Sequence, residues 1–211
     1  MPEPKAATFF SEEEKKRIET AVRKTEARTS GEVVPMVVDQ SYDYPRAEIL
    51  GGGMFALAAA TTLSWAFAGS SVWAFLPLFF IFYFLSKWLI RSTPALKRRM
   101  VNPAEIDEEV EEKAMISFLE NGLHSTRDRT GVLILISLFE HRVYVLADQG
   151  INEKVPAATW DEIVVTVTDG IKEGKTCDAL CSAIERCAEL LEENFPAQKD
   201  DTNELPNLII E

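Results

Sequence analysis

VLILISLFEHRVYVLA, residues Val132–Ala147, is the stretch from which the fold is read. Val132 to Phe139 is an unbroken apolar run, the pattern of a strand covered on both faces. Glu140-His141 is a tight polar connection, and Arg142 to Ala147 returns as an antiparallel strand. Upstream, Asn102 caps a helix with Pro103 at its first position and Glu105 in its first turn. Ile106, Val110, Met115, Phe118 and Leu119 give that helix its apolar stripe, and Asn121-Gly122 stops it. Downstream, one helix runs from about Pro156 to Lys172, with Gly174 ending it. A second starts from Thr176 as N-cap and runs to about Phe195.

At the N-terminal end, Ser11 and Glu14 form a capping box for a helix that closes at Ser30-Gly31. EVVPMVVD, Glu32–Asp39, follows as a strand. Pro35 has no N–H for a ladder bond, so the strand belongs at an edge or carries a bulge. These elements predict an α/β fold, a small mixed sheet sandwiched by helices.

A different kind of segment interrupts it. From Ile49 to Ser86 there is no Asp, Glu, Lys, Arg or His. That length suits two short bilayer crossings of roughly 20 residues each. Gly69-Ser70-Ser71 marks the turn between helices at Ile49–Ala68 and about Val72–Ile90. The alternative, a buried hairpin in a soluble core, conflicts with apolar side chains on every face. The expected organisation is a first part of the soluble domain (1–48), a transmembrane hairpin (49–90), a basic juxtamembrane segment (91–101), a second part of the soluble domain (102–196) and an acidic flexible tail (197–211).

Charge gives an orientation. Lys87, Arg91, Lys97, Arg98 and Arg99 form an all-basic cluster after the second span, which places it on the cytoplasmic side against anionic lipid headgroups. The start of the chain shows no signal peptide pattern. Both soluble parts are therefore expected at the cytoplasmic face of the inner membrane, with Lys87 reaching the headgroups and Trp88 and Trp73 at the two interfaces. Met100–Glu211 carries 9 basic and 24 acidic side chains. Such a surface repels phosphate backbones, so nucleic acid is excluded as a partner and the bilayer and its proteins are favoured. Cys177, Cys181 and Cys187 lie in one helical segment without zinc-site spacing, as reduced core thiols.

HSTRDRTGVLILISLFEHRVYVLADQGI, His124–Ile151, resembles the core of the TPM domain. That family is named for a thylakoid-lumen phosphatase, a photosystem II repair protein and an acetylcholine-receptor modulator. The resemblance extends to SGEVVPMVV, Ser30–Val38, and to the two terminal helices, with the hairpin as an insertion. It implies an α/β sandwich, with acid phosphatase activity, metal binding and maintenance of membrane complexes among the family's roles. Many such domains carry Asp-Asn-Gly or Asp-Lys-Gly before the buried strand. Here the triplet is Arg129-Thr130-Gly131, so a guanidinium stands where a divalent cation, Ca²⁺ or Mg²⁺, would find its carboxylate. Asp128 and Asp148 are weak substitutes. Gly131 is retained for backbone reasons.

The candidate polar site gathers Asp39, His124, Thr126, Arg127, Arg129 and Asp148. If the strand ends converge, the arginines hold an anion and His124 acts as acid or base. Otherwise Thr126 and Thr130 cap backbone groups and the arginines pair with the acidic surface. No P-loop, G-x-S-x-G or H-E-x-x-H motif occurs. The expected function is an interaction or assembly module for membrane proteins, rather than an enzyme. The alternative is a divergent metal-dependent phosphatase.

Overall fold

A computed structural model describes residues 5–69, 71–156, 158–197 and 205–211. The chain forms two compact units, Met1–Ser41 with Asp107–Glu211, and Tyr42–Ile106.

The first unit begins with α1 (Ala6–Phe9) and α2 (Glu12–Glu26). Both halves of the Ser11/Glu14 capping box are made, with the Ser11 N–H donating to Glu14 Oε2 at 2.8 Å. Strand β1 is Glu32–Val38. The second unit holds α3 (Pro45–Ala68), α4 (Val72–Ser92) and α5 (Pro94–Met100). Then follow α6 (Pro103–Glu120), a 3-10 turn at Leu123–Ser125, β2 (Gly131–Ser137) and β3 (Arg142–Ala147). Helices α7 (Gln149–Asn152), α8 (Ala158–Lys172) and α9 (Thr176–Asn194) precede a short last strand, β4 (Ile209–Ile210).

The sheet is mixed, in the order β3-β2-β1-β4. β1 runs parallel to β2 with Glu32 opposite Gly131, and β3 is antiparallel to β2 with Ala147 opposite Val132. One face carries Val33, Val37, Val132, Ile134 and Ile136 into a core shared with α2, α8 and α9. The other face buries Val34, Met36, Leu133 and Leu135 completely. α6 lies on that side, tied to the sheet by Arg142 Nε on Asp107 at 2.7 Å and Lys113 on Glu211 at 2.8 Å.

Pro35 sits where its missing donor costs nothing. Val37 accepts from Glu211 N–H and Asp39 N–H donates to Glu211, so the odd-numbered residues of β1 address β4. β4 begins opposite Met36, one residue too late to need a bond from Pro35. The expectation of an edge position therefore holds for that half of the strand only.

Several details depart from the sequence reading. Met115 and Leu119 are 47% and 57% exposed, because the line Val110–Ala114–Phe118 faces the sheet and each is one residue, about 100°, further round. Thr176 is the first helical residue of α9, and Lys175 holds the cap position. The flexible tail expected over 197–211 instead ends in a strand: Ile209-Ile210 pairs with Met36-Val37, while 198–204 lie outside the described residues. The juxtamembrane segment 91–101 is largely helical, as α5.

Cys177 and Cys187 are buried on the inner face of α9, and Cys181 is half-buried; all three thiols are free. Burial pushes Cys187 up to about 12 and, with Cys181 beside it, Cys177 up to about 11. An unfolded chain ionises these thiols at lower pH than the folded one does. Stability is thus fully present below the ordinary thiol range and is lost as pH rises towards about 12. Urea midpoints at about pH 8 and about pH 10.5 should fall more steeply for the native chain than for Cys187→Ala. Equal slopes would contradict the buried-thiol account.

In the second unit, α3 and α4 pack as a hairpin. Small residues recur every fourth position along α3: Gly52, Ala56, Ala60 and Ser64 are all buried. A Cβ on Gly52 would meet the Lys87 backbone at 3.4 Å, which measures how closely the helices approach. α3 ends at Gly69, whose φ of 57° is left-handed. Ser70, the middle of the expected turn, lies outside the described residues. The helices extend beyond the expected 49–68 and 72–90, because Tyr44-Pro45 starts the first and Thr93-Pro94 stops the second. Both are long and apolar enough to cross a membrane.

Candidate functional site

Three segments meet at the end of the sheet where β1 and β2 begin and β3 ends. Gly131 O accepts from Asp148 N–H at 2.9 Å, and Thr130 O accepts from Glu32 N–H at 3.0 Å. The Thr130 hydroxyl donates to Ser30 O at 2.9 Å, and Thr126 Oγ1 accepts from Thr130 N–H at 3.0 Å. Both threonines are buried. Their hydroxyls hold the loop.

Around this frame stand charged groups. Arg127 and Arg129 are exposed, Arg127 lying 3.8 Å from Asp128 Oδ2. Arg129 has a left-handed φ of 54° and reaches Gln149 Oε1 at 3.5 Å, a weak contact at that length. Asp148 caps α7: Oδ1 accepts from Gln149 N–H at 2.6 Å. Its other oxygen, Oδ2, is buried and has no hydrogen-bond partner among the described residues. A Cβ on Gly150 would meet Arg129 O at 2.7 Å and Asp128 O at 3.0 Å, so the β3–α7 corner lies against the loop before β2. An open groove beside it is lined by Ser30, Asp128, Lys154, Asn194 and Phe195, with Lys154 4.0 Å above the Phe195 ring.

The structure thus brings Thr126, Arg127, Asp128, Arg129 and Asp148 together. His124 is exposed on the 3-10 turn and makes no hydrogen bond or ion pair with the described residues. Asp39 is a correction. It follows β1, which is parallel to β2, so it stands at the opposite end of the sheet, roughly 20 Å away at about 3.3 Å per residue. There its Oδ1 accepts from Ala6 N–H at 2.5 Å.

Sequence reasoning missed the polar cluster at that far end. Glu140 is 1% exposed; its Oε1 accepts from Ser41 N–H at 2.9 Å and its Oε2 from the Ser137 hydroxyl. Ser41 and Ser137 hydroxyls are 3.0 Å apart. The cluster ties the segment after β1 to the β2–β3 turn. A glutamate in a polar hairpin turn carries no sequence signal of burial.

The donor set does not suit a divalent cation. No group of three His, Cys, Asp or Glu side chains able to hold a metal occurs among the described residues. Asp148 Oδ2 supplies one orphaned oxygen, but the loop before β2, against which its corner lies, carries two guanidinium groups.

Residues 99–190 match the family model of the TPM domain. β1 and α2 lie outside the matched span and complete the sheet and the core of the first unit. The chain is similar in fold to the NMR structure of BA42 protein from the psychrophilic bacterium Bizionia argentinensis sp. nov. The TM-score is 0.59 at 22% identity, covering 96% of this chain and 94% of that one. No curated protein matches the sequence.

Proposed function

We propose that this chain is a membrane-anchored TPM-domain protein whose soluble unit, at the cytoplasmic face of the inner membrane, binds membrane protein partners. The observation that carries the anchor is the outer surface of the hairpin. Leu50, Met54, Phe67, Trp73, Phe84 and Trp88 all stand exposed on α3 and α4, and polar residues are almost absent between them. Such a surface needs an apolar solvent. Lys87, Arg91, Arg98 and Arg99 supply charge for anionic headgroups. Binding rather than turnover is favoured by the exposed Arg127 and Arg129 beside the open groove, and by a site that pairs no nucleophile with a base.

In sealed vesicles, protease at the cytoplasmic face should remove both soluble parts; removal from the opposite face would sink the topology. Arg127→Glu with Arg129→Glu should lower recovery of cross-linked membrane partners about tenfold, the scale set by losing charge-assisted contacts. Unchanged recovery would take these residues out of the interface. One observation, the orphaned Asp148 Oδ2, favours a divergent phosphatase instead. In the same preparation that reading requires divalent-dependent phosphate release, lost in Asp148→Ala; chelator-insensitive release would end it.

A further inference from the structure

A cavity of about 320 Å³ lies in the soluble unit, at the end of the sheet away from the loop of Arg127 and Arg129. Its walls are Phe9 of α1, Ile136 and Leu138 at the end of β2, Val143 of β3 and Ile171 of α8. This size falls at the low end of small-ligand pockets, roughly 300–1,000 Å³. His141, Arg142 and Lys172 also line it and are exposed, so they form its mouth. In a chain of net charge −12, a basic mouth over an apolar interior is a local reversal.

The state of each polar group decides the ligand. Lys172 is committed to Asp169 at 2.8 Å. Arg142 gives only Nε to Asp107, and both its terminal nitrogens are without partners among the described residues. The half-buried Thr168 hydroxyl in the lining likewise has no partner among them. A carboxylate accepting from two guanidinium nitrogens and a hydroxyl satisfies all three, and an alkyl chain fills the apolar walls.

We propose that this cavity binds an amphipathic monocarboxylate of medium chain length, its carboxylate on Arg142 and its chain running inward between α8 and the β2–β3 hairpin. A neutral alcohol of the same length keeps the apolar contacts and forfeits the charge-assisted ones. Sodium octanoate and 1-octanol are therefore the discriminating pair of probes.

The full chain, methyl-labelled at Ile, Leu and Val in detergent micelles, is titrated with each. Octanoate should produce saturable shifts at Ile136, Leu138, Val143 and Ile171. Ile49 and Ile81, exposed on α3 and α4, report simple partition into the micelle and should not follow. Arg142→Gln should weaken octanoate about tenfold and leave octanol unchanged. Asp107→Asn, which removes the ion pair but keeps the guanidinium, should bind octanoate at least as well as the native chain. Ile171→Trp should abolish binding of both probes by filling the cavity. Three results would overturn the proposal: no shift at the cavity methyls, shifts that merely track Ile49 and Ile81, or octanoate affinity within about twofold of native in Arg142→Gln.

Discussion

Gly131→Ala should destabilise the first unit by about 3 kcal/mol, a fall in melting temperature of roughly 6–12 °C for a domain of this size. A Cβ at this position meets Leu123 O at 2.5 Å and Leu123 Cβ at 3.0 Å. The obstacle is backbone, not the far end of a flexible side chain, so relief requires moving the 3-10 turn. That turn cannot move alone, because Thr126 and Thr130 bind the following residues to one another and to Ser30. Gly131 is also β2's first residue, held to Asp148 N–H through its carbonyl. The usual gain from Gly→Ala, about 0.4–1 kcal/mol through a less flexible unfolded chain, is too small to offset the clash. Circular dichroism melts check the total. Amide shifts localised to 123–131 and 148–150 would place the damage at the candidate site. A melting temperature within about 2 °C of native would mean the turn yields easily, contrary to the account of a site built on close approach.

How much of this was legible in the sequence depends on the direction of each strand pairing. β2 and β3 are joined by four residues, so antiparallel pairing was forced, and with it the meeting of Asp148 and Gly131. β1 and β2 are separated by the hairpin and α6, and nothing in their composition states whether they run parallel. The sequence alone therefore leaves Asp39 free to stand beside the arginine loop, and the parallel register sends it to the other end. β4 was illegible for a different reason. Two isoleucines after a polar, acidic stretch give no period to detect, and they become a strand only because β1 leaves its edge open beyond Pro35. The retained Gly131 and the arginine at the preceding loop position were readable as local chemistry. Glu140 was not, since its burial arises from Ser41, far away in sequence.

Lys97→Met should cost the hairpin unit about 3–5 kcal/mol, the loss expected when one partner of a buried ion pair is removed. Lys97 and Glu48 are 8% and 9% exposed, and Lys97 Nζ donates to Glu48 Oε1 at 2.8 Å. This corrects the view of Lys97 as one of the headgroup-facing cations: its charge is already spent within the protein. The pair joins α5 to α3, and α5 has only seven residues, too few for an isolated helix to persist in water. Local protection should therefore show the effect best. Amide exchange across 94–100 should accelerate roughly 150-fold for each 3 kcal/mol lost, where opening is local. Glu48→Leu combined with Lys97→Met removes both charges and replaces them with apolar side chains, so it should recover most of the protection. If the double variant stays as weak as the single one, the packing of the lysine stem rather than its charge holds α5 in place. If it recovers, the ion pair adds little net stability; on the proposed anchoring, the cations that address a bilayer then include Lys87, Arg91 and Arg99. Their attraction to anionic vesicles should then weaken with salt to the same degree in the native chain and the double variant, because Lys97 contributes to neither.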